Sequence, residues 1–174
     1  MLIRKLTPDD VDAYHALRLQ ALQQNPEVFG STYEREVNYS AERILAHLEP
    51  IEDEQFVIGA FDAQQQLLGI VSFRREQSLK MRHKGVVYGM YVTPEIRNQS
   101  IGLQLLIHFI RECESIAGLE QLNLSVVSTN KSAIALYEKV GFTHYGHEKR
   151  ALKYLDVYYD EDLMIIDVTK AHIF

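Results

Sequence analysis

Residues 86–142 do most to limit how this chain can fold. An apolar strand pattern at 86–92 stops at Thr93 and Pro94, and a short polar loop follows. An amphipathic helix pattern then runs from 101 to 117. Leu103, Leu106, Ile110 and Cys113 form one row, with Leu105, Phe109 and Ile116 beside it. Gly118 ends that helix. A second unit repeats the order, with a strand at 122–127 and a helix at 131–140. Asn130 is placed to cap this second helix, Gly141 to supply a left-handed end, and Phe142 to fold back onto its last turn. Strand–helix–strand crossings of this kind call for helices packed over a sheet with parallel neighbours.

The flanks complete the pattern. A short strand at 2–6 precedes a helix start, where Thr7 can cap, Pro8 suits the first helical position, and Asp9 and Asp10 favour the positive end of the dipole. Val11, Tyr14, Leu17 and Leu22 carry an apolar stripe to about residue 23, and Asn25–Pro26 breaks it. Helical stretches follow from Ser31, interrupted near Asn38, and after Ser40, with Ile44 and Leu48 on one face. Strands at 56–61 and 67–73 flank a polar turn and predict an antiparallel hairpin. Phe142–Tyr145 starts another strand, and 162–168 is the last. The expected fold is α/β (α+β): one domain over 1–174, with a mixed sheet and helices on both faces.

Bulk properties exclude several functions. The chain has 174 residues and a net charge of −6, with no long basic run, so no nucleic-acid partner is expected. The acidity leans weakly toward a cationic substrate. No apolar run reaches membrane-spanning length, and the start has no signal-peptide core. A single cysteine, Cys113, forbids an intrachain disulfide and fits a cytoplasmic protein; it sits on the apolar row, as a core residue would. The histidines show no pair at metal spacing with a third ligand, so no metal is expected.

Two segments point to chemistry. The loop Arg97-Asn98-Gln99-Ser100 leads into Ile101, Gly102 and Leu103, the first turn of the long helix. Unpaired N–H groups and the dipole make such a turn an anion site, Gly102 allows close approach, and Arg97 adds charge. Taken alone, the loop reads equally as an ordinary helix start. In the second segment, 130–142, Tyr137 lies on the apolar face, and a buried phenol needs a hydrogen-bond partner.

Together the two segments resemble the GNAT superfamily of N-acetyltransferases. The pattern N-x-x-A-x-x-L-Y-x-K-x-G-F is matched in full from Asn130 to Phe142. The pyrophosphate-loop pattern is matched at Val92, Pro94, Arg97 and Gly102, with Ser100 where the family usually has its first glycine. Residues 26–36 and 158–164 also resemble a subset of bacterial members. The resemblance implies a mostly antiparallel sheet whose central parallel strands, 86–92 and 122–127, splay apart around acetyl-CoA. Gly89 would mark the bulge that opens them. Backbone at Met90 and Val92 would pair with the pantetheine arm. The loop from Arg97 through Asn98, Gln99, Ser100, Ile101 and Gly102 to Leu103 would hold the pyrophosphate, and Asn130 would touch the cofactor beyond the splay.

The implied reaction is direct attack of a primary amine on the thioester. Met90 N–H would meet the oxyanion, and Tyr137 would serve the leaving thiolate. Residues 85–92 contain no carboxylate, so the base is sought among Glu34, Glu36, Tyr88, Asp160 or a water relay, with Glu34 foremost. A homodimer is compatible with the resemblance. The rival reading is a GNAT-fold acyl-CoA-binding sensor or interaction module with little catalysis.

Overall fold

The structure is a computed structural model that describes residues 1–96 and 100–170. Seven strands, β1 (Leu2–Lys5), β2 (Gln55–Phe61), β3 (Leu67–Arg75), β4 (Lys84–Val92), β5 (Gln121–Val127), β6 (Thr143–Tyr154) and β7 (Val157–Asp167), form one sheet. Its order is β1-β2-β3-β4-β5-β7-β6. All neighbours run antiparallel except β4 and β5. The helices are α1 (Val11–Gln24), α2 (Tyr33–Glu36), α3 (Ala41–Leu48), α4 (Ile101–Glu114) and α5 (Lys131–Lys139).

Local chemistry places the helix starts. Thr7 N–H donates to Asp10 at 2.8 Å, and Arg4 grips the same carboxylate at 2.7 and 2.8 Å. The side chains of Thr32, Ser40 and Asn130 accept from backbone N–H groups three residues on. At the end of α5, Gly141 takes φ 101° while Phe142 N–H bonds back to the Tyr137 carbonyl at 3.1 Å.

Two cores sandwich the sheet. On one face α4 and α5 bury Leu105, Phe109, Ile110, Ile134 and Tyr137 against Phe73, Leu122, Leu124 and Met164. Phe56 and Phe73 stack at 4.9 Å, with Phe109 tilted over both. On the other face α1 and α3 bury Tyr14, Leu17, Ala21, Ile44 and Leu48 against Val57, Ile70 and Tyr91. Cys113 is fully buried in the first core. Among the described residues no helix is long and apolar enough to cross a membrane.

The C-terminal hairpin differs most from expectation. Strand β6 runs on to Tyr154, and β7 begins at Val157, well before residue 162. A two-residue turn, Leu155–Asp156, joins them with positive φ at both positions (46° and 61°). Such turns normally carry Asn-Gly or Asp-Gly, so Leu-Asp gives no sequence signal. Helix α4 also stops earlier than the apolar row suggested, because Ile116 turns back with its N–H on the Cys113 carbonyl at 3.1 Å.

Candidate active site

The parallel ladder between β4 and β5 is short. It holds from Lys84↔Gln121 to Val86↔Asn123 and then stops, although β4 continues to Val92 and β5 to Val127. A register shift against β3 accompanies the parting: Ser72 pairs with Tyr88 and Ile70 with Tyr91, so Gly89 and Met90 together oppose Val71. Gly89 sits at φ 62°, a conformation that suits glycine. This bulge turns β4 away from β5.

The gap is a cleft of about 730 Å³, within the range of cofactor and ligand sites. Residues Val87–Val92 of β4 and Ser125–Val127 of β5 form its sides. The start of α4 enters through Ser100, Ile101, Gly102 and Leu103. Thr129, Asn130, Leu136 and Tyr137 close it beyond the splay, and Asn25 with Glu27–Phe29 lines it from the segment after α1. Met90 and Val92 pack with the α4 core, whereas Phe29 and Tyr91 pack with the α1 core. The cleft therefore opens toward both faces of the sheet at the splay.

Its two ends differ electrically. The first turn of α4 presents backbone N–H groups and the positive end of a dipole. Ser100 precedes it at φ 61°, ψ 9°, in the left-handed region, and its hydroxyl makes no cap bond. This conformation suits the glycine that the pyrophosphate-loop pattern has there. Among the described residues Glu27 is the one carboxylate lining the cleft, and it comes from the segment after α1 rather than from α4 or α5, so the surroundings of this turn fit a pyrophosphate. Arg97, Asn98 and Gln99 lie outside the described residues.

Tyr137 is 9% exposed, packs edge-on to Phe142 at 5.8 Å, and lines the cleft. Burial pushes its phenol up to about 12. Its hydroxyl has no hydrogen-bond partner among the described residues. Tyr88 also lines the cleft, and burial raises it against the pull of Arg74, Arg18 and Ser72.

The carboxylates sort differently from the sequence reading. Glu34 is exposed on α2 and does not line the cleft. Glu36 is buried and bonded to Arg18. Asp160 accepts from Arg150 N–H at 2.7 Å and faces His147. Glu27, which sequence reasoning passed over, lines the cleft. Its only signal was its place in the 26–36 segment. Glu161, opposite Val127 on β5 and Glu148 on β6, is raised by burial and by the Glu148 charge, with the Ser125 hydroxyl opposing.

A seven-stranded sheet parted at one parallel pair, with a helix N-terminus lining the gap, suits an extended ligand with an anionic end. Residues 3–163 match the family described as "Acetyltransferase (GNAT) domain", and the chain belongs to that family, whose members use acetyl-CoA. The GNAT-family acetyltransferase of Streptococcus pneumoniae is similar at TM-score 0.84 and 25% identity, over 95% of this chain and 98% of that one. The structure of yncA from Salmonella typhimurium, solved with its cofactor acetyl-CoA, is similar in fold at TM-score 0.81 and 19% identity, over 97% and 94%. The [ribosomal protein bS18]-alanine N-acetyltransferase of Escherichia coli K12 is 39% identical over 59 residues, which are 34% of this chain and 39% of that protein.

Proposed function

We propose that this protein transfers an acetyl group from acetyl-CoA to a primary amine by direct attack through a tetrahedral intermediate. The observation that carries the reading is the position of Tyr137, buried at the splay with no hydroxyl partner among the described residues, in the same cleft as the α4 N-terminus. The α4 turn and Asn130 would hold the anionic end of the donor. Backbone at Met90 and Val92 would align its arm, and the bulge at Met90 would offer an N–H to the developing oxyanion.

Tyr137 would face the leaving sulfur. With its phenol near 12 and a simple thiol near 8.5, complete proton transfer is uphill by about 5 kcal/mol. Hydrogen-bond donation to the thiolate, with transfer late or shared, is therefore the favoured role. The same shift keeps the phenol protonated throughout the neutral range.

A cytoplasmic location fits the single, buried cysteine. The acceptor would be a small amine or a peptide amine, and a homodimer is compatible with this reading. Release of free CoA thiol from acetyl-CoA with a panel of primary amines tests the function. Acetyl-CoA binding without thiol release for every amine would favour a binding module instead.

A further inference from the structure

Among the described residues, Glu27 is the one carboxylate lining the cleft. It belongs to the short turn Pro26–Val28 after α1 and is half-buried. No ion pair or side-chain hydrogen bond engages it among those residues. Glu36 is tied to Arg18, and Asp160 and Asp162 are tied to His147. Glu161 interacts with the Ser125 hydroxyl and does not line the cleft. Strand β4 carries no carboxylate at all.

The turn is anchored on two sides. It packs against β6, and the Phe29 ring after it lies 4.8 Å from the Arg18 guanidinium carbon. Phe29 joins the α1 core, on the face of the sheet opposite α4. Glu27 therefore enters the cleft from the side away from the pyrophosphate end, and does not oppose the donor's negative charge.

The other titratable groups lining the cleft are Tyr88, Tyr91, Tyr137 and Lys139. Burial raises Tyr88 and Tyr137 above the ordinary phenol range, so neither takes a proton at neutral pH. The Tyr91 hydroxyl donates to Gln24 at 2.6 Å. Lys139 is a cation. Glu161, whose carboxyl interacts with the cleft-lining Ser125 hydroxyl, and Glu148 opposite it on β6 add negative potential near this border.

We infer that Glu27 is the catalytic carboxylate that seats the acceptor's ammonium and takes its proton, freeing the nitrogen lone pair to attack the thioester. This rests on the function proposed above. An N–H bond of the ammonium breaks and an O–H bond forms on Glu27. The nitrogen lone pair forms the C–N bond, and the C–S bond breaks with its electron pair on sulfur. A second proton from nitrogen ends on the thiol, and Glu27 returns the first to water. At pH 7 about one lysine-like amine in 2500 is neutral, against about one α-amine in ten, so a base matters more for the former.

The test compares wild type with Glu27→Gln and Glu27→Asp, following CoA thiol release from pH 6 to 10. Acceptors are n-butylamine and a tetrapeptide with N-terminal alanine, and acetyl-CoA binding is measured by calorimetry. Glu27→Gln should keep acetyl-CoA affinity within about twofold. It should lose at least about tenfold in kcat/KM at pH 7, with the deficit closing toward pH 10 and Glu27→Asp falling between. An undiminished Glu27→Gln, or a deficit equal at every pH, overturns the assignment while leaving the acetyltransferase reading intact. A wild type that releases no thiol with any amine overturns both.

Discussion

Arg18 of α1 and Glu36 of α2 meet fork to carboxylate: Nε donates to Oε2 at 2.9 Å and Nη2 to Oε1 at 2.8 Å. Both side chains are nearly excluded from water, and the Arg18 Nη1 is buried without a partner among the described residues. Burial alone would raise the Glu36 carboxyl. The Arg18 hydrogen bonds and charge outweigh it, and the net pKa lies below the usual carboxylate value. A depressed folded pKa gives stability that is present above the unfolded value near 4.5 and lost as pH falls through the folded one. Glu36→Ala should cost about 3 kcal/mol in urea unfolding near pH 7, because it strands a buried cation. Arg18→Met with Glu36→Leu should cost less than that single change. A double variant as damaged as Glu36→Ala would mean that the pair itself, not the stranded charge, sets the cost.

Tyr137→Phe removes one oxygen from a buried ring and leaves its packing on Phe142. We expect kcat to fall about 100-fold with acetyl-CoA affinity nearly unchanged. With the phenol at about 12, the wild-type kcat should show no loss of this donor up to pH 10. Steady-state kinetics and calorimetry check both, and an unaltered kcat would remove Tyr137 from the mechanism.

Ser100 adopts a left-handed backbone that costs an L-residue about 1 kcal/mol or more. Ser100→Gly relieves this strain but frees the unfolded chain by about 0.5 kcal/mol, so a small net gain is expected. Ser100→Val should lose about 1 kcal/mol or more, since a β-branched side chain is a poor fit there. Denaturant midpoints rank the three proteins, and a Ser100→Val protein as stable as wild type would show that the turn does not need this conformation.

His147 stands between Asp162 (2.8 Å to Nδ1) and Asp160 (3.2 Å to Nε2), and the Ser128 hydroxyl donates to Asp162 at 2.9 Å. The Asp162 contact raises its pKa most, with Asp160 adding and desolvation opposing. A raised folded pKa gives stability that is complete below the unfolded value of about 6.5 and disappears as pH climbs through the folded one. The His147 ring should titrate above 6.5 by NMR. His147→Gln should flatten the decline of Tm from pH 6 to 8.5. A midpoint at or below 6.5 would mean that the two aspartates do not hold the charge.

The sequence made the two strand–helix units readable because caps, breakers and helical stripes act over a few residues. Asn130, Pro94 and Gly141 each mark a boundary through their own backbone chemistry. The β6–β7 hairpin was not readable, since its turn residues Leu155 and Asp156 adopt positive φ without the residues that normally signal it. The acids of the α1–α2 segment were harder still. Glu34 and Glu36 lie two apart on a single turn, so one faces water and the other the core. Which of them did so depended on where α1 placed Arg18.

By itself, then, the sequence determined the elements up to α5, their order, and the placement of Tyr137 and the α4 N-terminus in neighbouring units. Tertiary structure alone decided how early β4 and β5 part, and that Glu27 rather than Glu34 lines the gap. Local signals specify backbone conformation over one or two turns, whereas a cleft is the space left when segments far apart in sequence pack. Contacts such as Phe29 on Arg18, between α1 and the segment that follows it, hold the cleft-lining Phe29 in place.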